Sequence, residues 1–302
     1  MLTCDEYLTP TSLADAFAAM AQHRGRYRVV AGATDTLPWA REGRAGDVNI
    51  PVLIDVSKIP ELNELRVDER RVRLGAATPI QRFLDDVALA RALPALPRCA
   101  VWFADDQIRA QATVGGNIVN ASPAADVTPC LAAHEASVEL VSASGKRSMP
   151  LHDFITGPGK TQLAEGELLT AIECDALPGY GGSFEKVGHR RSLVISLACL
   201  AFSVRLDADG RVIEDVRIGL AGVCPMPTRL RDVEAFLRGK KLSQELLEQA
   251  ADMPLDLVQS RTRREYRRDI LRGFMMRGLI TAAKRAGADP AVLSRELEAA
   301  YV

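Results

Sequence analysis

The chain has 302 residues, 47% of them hydrophobic and 25% charged, and its 38 lysines and arginines almost balance 39 aspartates and glutamates. That length suits about two domains with buried cores, and the balanced charge gives no electrostatic basis for binding nucleic acid. The apolar run Leu193 to Val204 is interrupted by Ser196 and Ser203 and is too short to span a bilayer, and Met1-Leu2-Thr3-Cys4-Asp5-Glu6 does not read as a signal peptide. A cytoplasmic chain with no membrane span is expected.

Taken in order, Ser12 to Gln22 places Leu13, Ala16, Phe17 and Met20 on one helical face, and Tyr27 to Ala31 reads as a strand. That strand runs into Arg28-Val29-Val30-Ala31-Gly32-Ala33-Thr34-Asp35-Thr36-Leu37, a small-residue turn with a possible helix start at Thr34 or Asp35. Strand, small-residue loop and helix N-terminus together offer free N–H groups and a favourable dipole to a phosphate. The loop is neither a Walker motif, since no Gly-Lys-Ser/Thr follows, nor a G-x-G-x-x-G fingerprint starting at Gly32. Val52 to Val56 suits a buried strand, Val72 to Ala76 a further short strand, and Ile80 to Ala90 a helix.

The most distinctive stretch is Thr113-Val114-Gly115-Gly116-Asn117-Ile118-Val119-Asn120-Ala121-Ser122-Pro123-Ala124-Ala125-Asp126. It combines paired glycines, two amides, the hydroxyls of Thr113 and Ser122 and one carboxylate, the composition of a surface that contacts an anionic ligand. Gly115 and Gly116 have no Cβ, so the backbone there can take positive φ and its N–H groups can approach an oxyanion closely. Pro123 stiffens the exit and leaves Asp126 as an acceptor suited to a ribose hydroxyl.

Further on, Val138 to Val141 and the turn Ser142-Ala143-Ser144-Gly145 form a hairpin signature. The Pro- and Gly-rich stretch Ala176 to Gly182 reads as the interdomain linker. Ser196 to Leu206 and Val212 to Leu220, joined by Asp207-Ala208-Asp209-Gly210, make a second hairpin, and helical patterns follow at Thr228 to Leu237, Gln244 to Ala251 and Arg264 to Ala286. The basic run Arg261 to Arg268 is interspersed by Glu265 and reads as a solvated or structural helix face. Six cysteines and four histidines are scattered without metal-ligand spacing, and no nucleophile elbow or carboxylate pair appears, so no catalytic residue and no metal ligand is assigned.

Three segments together, V-A-G-A-T-D at 30–35, the motif at 113–126 and F-E-K-V-G-H-R-R-S at 184–192, resemble the FAD-binding medium subunit of molybdenum hydroxylases, the xanthine dehydrogenase and carbon monoxide dehydrogenase flavoprotein type. The resemblance implies an α+β fold. A PCMH-type FAD-binding domain would occupy 1–176, with subdomains at about 1–57 and 58–176, followed over 183–302 by a smaller domain of antiparallel sheet and helices.

It also implies a division of labour. This chain would hold FAD and pass electrons to NAD⁺, a quinone, oxygen or another acceptor. Molybdopterin would sit on a large partner subunit and [2Fe–2S] clusters on a small one, in a dimer of heterotrimers. Val29, Val30, Ala31, Gly32, Ala33, Thr34, Asp35 and Thr36 would wrap the pyrophosphate, with Gly32 making the tight turn. Thr113, Gly115, Gly116 and Asn117, with Ser122, would close the cradle from the other side, and Asp126 would bond the adenosine or ribityl part. Phe103, Leu169 and Lys186 match positions near the flavin ring, where Lys186 would stabilise negative charge. Ala33 replaces a glycine frequent in relatives, and a right-handed conformation is expected there, with Gly32 carrying the strain.

A stand-alone flavin oxidase of the same fold is the alternative, as is a nucleotide-binding regulatory module. Against the oxidase, the 30–36 loop has no His or Cys to tether a flavin.

Overall fold

A computed structural model describes residues 1–190, 193–259 and 262–291. The end of the 184–192 motif, Arg261 of the basic run and residues 292–302 of the C-terminal domain therefore lie outside the described residues.

The N-terminal strands β1 (Glu6–Leu8), β2 (Tyr27–Val30) and β3 (Val52–Asp55) form a small parallel sheet in the order β1-β3-β2. Parallel neighbours need a crossover, which α1 (Leu13–Gln22) supplies before β2 and α2 (Thr36–Arg41) after it. Ser12 caps α1 by accepting from the Asp15 N–H, and Ala16 and Met20 bury the face predicted from their spacing. A second, antiparallel sheet follows, built from β4 (Leu65–Val67), β5 (Arg71–Gly75), β6 (Ser137–Ser142), β7 (Gly145–Pro150) and, beyond the ribbon β8 (Ile155–Gly157) and β9 (Lys160–Thr161), β10 (Leu168–Asp175). Its order is β4-β5-β10-β6-β7, with the β6–β7 hairpin closing at Ser142 and Gly145 as the turn residues predict.

Between β5 and β6 the chain makes a cluster of short helices: α3 (Arg82–Asp85), α4 (Val87–Ala92), α5 (Leu96–Trp102), α6 (Asp106–Gln111), α7 (Val114–Val119) and α8 (Val127–Ala133). The single helix expected over 80–90 is broken at Asp86, whose extended backbone lets its carboxylate accept from the Ala88 and Leu89 N–H groups and cap α4. After α9 (Leu151–Phe154), the C-terminal part has β11 (Gly181–Val187), β12 (Ala198–Leu206), β13 (Ile213–Ala221) and β14 (Thr228–Arg229) in sequential antiparallel order, then α10 (Arg231–Leu237), α11 (Gln244–Asp252) and α12 (Arg264–Arg285). The helix read from Thr228 begins only at Arg231, because Thr228 and Arg229 pair with β13.

This last sheet is covered on both faces. Along β12, Leu200, Phe202 and Val204 join the core under α10 to α12, while Cys199 and Ala201 join the core of the preceding domain. The two-residue alternation of a strand thus serves two cores, and the segment reads as one long apolar run. Gly181 and Gly182, read as linker, are the first residues of β11. A Cβ on Gly181 would lie 2.1 Å from the Ala282 carbonyl oxygen of α12, and one on Gly182 2.2 Å from the Pro94 carbonyl. These glycines serve close packing from two sides.

His134 follows α8 and is fully buried. Its Nδ1 lies 2.8 Å from the Asp175 carbonyl oxygen. A carbonyl only accepts, so Nδ1 carries the proton and Nε2 is left without a partner. Burial, reinforced by Arg217 and Arg229, pushes its pKa down to about 4. The unfolded chain therefore binds a proton that the folded chain refuses between pH 6.5 and about 4. Stability contributed by the neutral ring is complete above that window and is lost as pH falls through it, by up to roughly 1.4 kcal/mol per pH unit. Urea unfolding across this range should show that slope, and His134→Gln should flatten it; an unchanged slope in the variant would show that other groups set it.

Candidate FAD site

The loop after β2 and the segment around α7 meet by backbone contact. A Cβ on Gly32 would lie 1.9 Å from the Gln111 carbonyl oxygen, so only glycine lets the first loop approach the end of α6. Farther along, the Asn120 side-chain amide donates to Asp35 at 3.0 Å. Gly32 does not adopt positive φ; Ala33 does, at 52°. The expectation is reversed, because the space beside Gly32 is taken by Gln111 and the chain must turn one residue later. A left-handed alanine costs about 1–2 kcal/mol.

That turn leaves the N–H groups of Gly32, Ala33, Thr34 and Asp35 without a protein acceptor among the described residues. Burial also pushes the Asp35 pKa up. Asp35 precedes α2 but makes no side-chain cap. Val29 and Val30 lie in β2, and Thr36 opens α2 and is buried.

The glycine pair behaves differently from expectation. Gly115 and Gly116 lie in α7 with no positive φ, and their N–H groups are spent inside the protein: Gly115 donates to the Ala76 carbonyl at 2.8 Å and Gly116 to Thr113 Oγ1 at 3.0 Å. A Cβ on Gly115 would lie 2.6 Å from that of Ala76. The first glycine therefore lets α7 seat on β5's continuation, and Thr113 is the helix cap. What α7 offers outward is the exposed backbone of Gly116; the next residue, Asn117, is half-buried, and its Oδ1 is shut from solvent without a partner among the described residues. Ser122 Oγ accepts from the Ala124 N–H at 3.3 Å, shaping the turn toward α8.

Asp126 and Lys186 are brought together by the fold. Neither is free: Lys186 Nζ lies 2.5 Å from Asp126 Oδ2, and Ser196 Oγ donates to Oδ1 at 2.5 Å. Both side chains are over nine-tenths buried. Burial pushes the Asp126 pKa up, opposed by Lys186 and Ser196. The carboxylate thus already accepts from two donors, and the lysine is held by it. Lys186 further donates to the Trp102 carbonyl at 3.3 Å, fixing the end of α5 just before Phe103. Phe103 is half-buried against the core, and Leu169 is core in β10, at a bulge.

The sequence reading missed Ser196, Trp102, Asn120 and Gln111. Ser196 was visible as a polar break in an apolar run, and a polar group buried there must find a partner. Gln111 acts through its main chain and carries no side-chain signal.

The unpaired N–H groups at 32–35, the orphaned Asn117 oxygen and the exposed Gly116 backbone fit a ligand carrying both phosphates and hydroxyls. Residues 3–174 match the FAD binding domain in molybdopterin dehydrogenase, and residues 183–282 the CO dehydrogenase flavoprotein C-terminal domain. This chain belongs to the molybdopterin dehydrogenase FAD-binding family.

Among members of that family, the chain is 35% identical over 199 residues to the glyceraldehyde dehydrogenase medium chain of Sulfolobus acidocaldarius, covering 66% of this chain and 70% of that one. It is 29% identical over 289 residues to a putative xanthine dehydrogenase FAD-binding subunit of Escherichia coli, covering 93% and 97%. The fold matches that of carbon monoxide dehydrogenase from Hydrogenophaga pseudoflava with a TM-score of 0.85 at 28% identity, covering 94% and 99%. The chain is thus an oxidoreductase subunit with an FAD-binding domain.

Two substitutions test the geometry of this family member. Gly32→Ala forces a methyl onto the Gln111 carbonyl and should cost about 1–3 kcal/mol in chemical denaturation while reducing FAD retention; wild-type stability and flavin content would show that the loops need not approach so closely. Lys186→Met strands a buried carboxylate and should cost about 3–5 kcal/mol, much of it recovered by adding Asp126→Asn. If Lys186→Met alone is neutral, the lysine is a surface cation after all.

Proposed function

We propose that this chain is the electron-transfer subunit of a multisubunit molybdenum hydroxylase. It would receive electrons from [2Fe–2S] clusters of a small partner subunit and deliver them to NAD⁺, a quinone, oxygen or another acceptor. A large molybdopterin-binding subunit would oxidise the substrate, and the whole would assemble as a dimer of heterotrimers. The observation that carries the reading is the convergence of the 32–35 loop, with its unpaired N–H groups, on the α7 segment. The names of the relatives, a medium chain and an FAD-binding subunit, support the partners. A cytoplasmic location accords with six unbridged cysteines. No described helix is long and apolar enough to cross a membrane.

When bound, FAD supplies a carrier that can accept electrons singly and release them in pairs. The residues of this chain bind and orient it. Gly32 to Asp35 would hold the pyrophosphate by main-chain N–H groups at the start of α2. Gly116 and Asn117 would form the opposing wall, with Asn117 Oδ1 as acceptor for a hydroxyl. Phe103 and Leu169 would supply apolar contact at the ring, and the Lys186–Asp126–Ser196 group would set the polarity beside it. The 30–36 loop has no His or Cys, so the cofactor is held noncovalently. We further place the FAD-binding domain at 1–176, in subdomains near 1–57 and 58–176, and the C-terminal domain at 183–302.

Reconstitution of the purified chain with FAD should give a bound-flavin spectrum, and acid precipitation should leave the flavin in the supernatant. No flavin uptake by the chain, together with no FAD released from the native complex, would overturn the reading.

A further inference from the structure

At the end of the α5–β11 contact away from Lys186 lies a second concave site. Pro94, just before α5, packs on Gly182 there, whereas Trp102, the last residue of α5, meets Lys186. The cleft has a volume of about 260 Å³ and is lined by Arg98, Arg285, Pro94, Pro97, Tyr180 and Gly182, among others. Arg98 comes from α5 and Arg285 closes α12, so the two cations belong to different domains.

Among the described residues, neither guanidinium has a carboxylate partner. The described arginines are in large part ion-paired, but neither Arg98 nor Arg285 has a carboxylate within ion-pair distance. Glu185, the acidic group that acts favourably on Arg285, is gripped by the Arg277 fork. Arg285 is held in place by donating from Nη1 to the Gly182 carbonyl at 2.7 Å, which leaves its other N–H groups available. The Tyr180 ring is likewise fixed, its hydroxyl donating to Asp215 at 2.7 Å. Burial and the like charge of Arg98 together push the Arg285 pKa down.

Two cations sharing a cleft without a counter-ion repel each other, and their planar forks match the geometry of an oxyanion. Proline rings on one side reduce competing hydration. We propose that the Arg98–Arg285 cleft binds a small ligand through its oxyanion group, a phosphate or carboxylate bridging α5 and the end of α12. The site is separate from the 32–35 loop and needs no flavin.

The 32–35 loop would itself attract phosphate, so the experiment uses the full chain saturated with FAD, with the FAD-free chain in parallel. Inorganic phosphate, AMP and succinate are titrated at constant ionic strength against chloride and followed by calorimetry and thermal unfolding. Saturable binding of at least one, with a raised Tm, is expected, and Arg98→Gln should weaken it at least tenfold. Arg98 is exposed and makes no hydrogen bond that the fold uses, so this variant should fold normally. Tighter binding of AMP than of phosphate identifies a nucleotide phosphate as the source, and preference for succinate a carboxylate. A response no greater than chloride for all three, or equal in Arg98→Gln, overturns the proposal. Failure of the chain to take up FAD would leave the FAD-free titration as the deciding measurement.

Discussion

The buried Asp126–Lys186 pair is the contact on which the arrangement around the candidate site depends. Its carboxylate stands at the start of α8 and its ammonium on β11, so it joins the helix cluster of the first domain to the first strand of the second. Removing two charges from water costs several kcal/mol per ion, recovered only where geometry and extra hydrogen bonds are good. Here Ser196 supplies a further donor to the carboxylate, and the Trp102 carbonyl a further acceptor for the ammonium. The Cys99 thiol donates to the Asp126 main-chain carbonyl at 3.2 Å, so the backbone at this residue is anchored as well. Four segments are thereby fixed by one residue: α5, α8, β11 and the approach to β12. Such a pair is an unforgiving joint, because displacement of any of the four leaves a charge buried without compensation.

The glycines of the two loops show why a motif can identify a ligand while misplacing the chemistry. A glycine may be present because its backbone needs positive φ, because an N–H must be reached, or because no Cβ fits. Gly32 and Gly115 both answer to the third reason, against Gln111 and Ala76. Their effect on a ligand is indirect: they bring two backbones close enough for the walls of one site to form. The turn itself falls to Ala33, whose left-handed conformation is at odds with its side chain and matches the glycine frequent there in relatives.

Much of the architecture is legible from period and punctuation. The face of α1, the β6–β7 hairpin and the strand entering the first loop follow from apolar spacing and turn residues, because each is decided within a few residues. What was not legible depends on contacts distant in sequence. Asp86 divides one helical pattern in two by capping the second half, Thr228 and Arg229 are drawn into β13, and the 113–119 segment folds as a capped helix against Ala76 and Thr78. For the site, residue types were readable but their engagement was not. Asp126 and Lys186 are 60 positions apart, and nothing local indicates that each is the other's partner. The basic run resolves similarly: Arg267 donates to the Leu197 and Gly222 carbonyls and Arg268 to that of Leu255, so these cations tie α12 to neighbouring loops.

The first loop carries its own argument for a ligand. Main-chain N–H groups removed from water without acceptors cost about 1–3 kcal/mol each when fully buried, and those of Gly32 to Asp35 are in residues that are partly buried to exposed, so each costs less. To this is added about 1–2 kcal/mol for a left-handed Ala33. No contact within the loop offsets these terms; they are sustained by the Gly32–Gln111 approach and the Asn120–Asp35 bond. A ligand that binds only the folded chain adds about 2.7 kcal/mol of stability at a hundred times its dissociation constant. Binding leaves the Ala33 backbone as it is, so an anion offsets that cost and relieves only the share that comes from unpaired N–H groups. The loop is thus a segment whose local conformation is poor by itself and becomes reasonable once an anion accepts its N–H groups, so its stability and its occupancy are a single equilibrium.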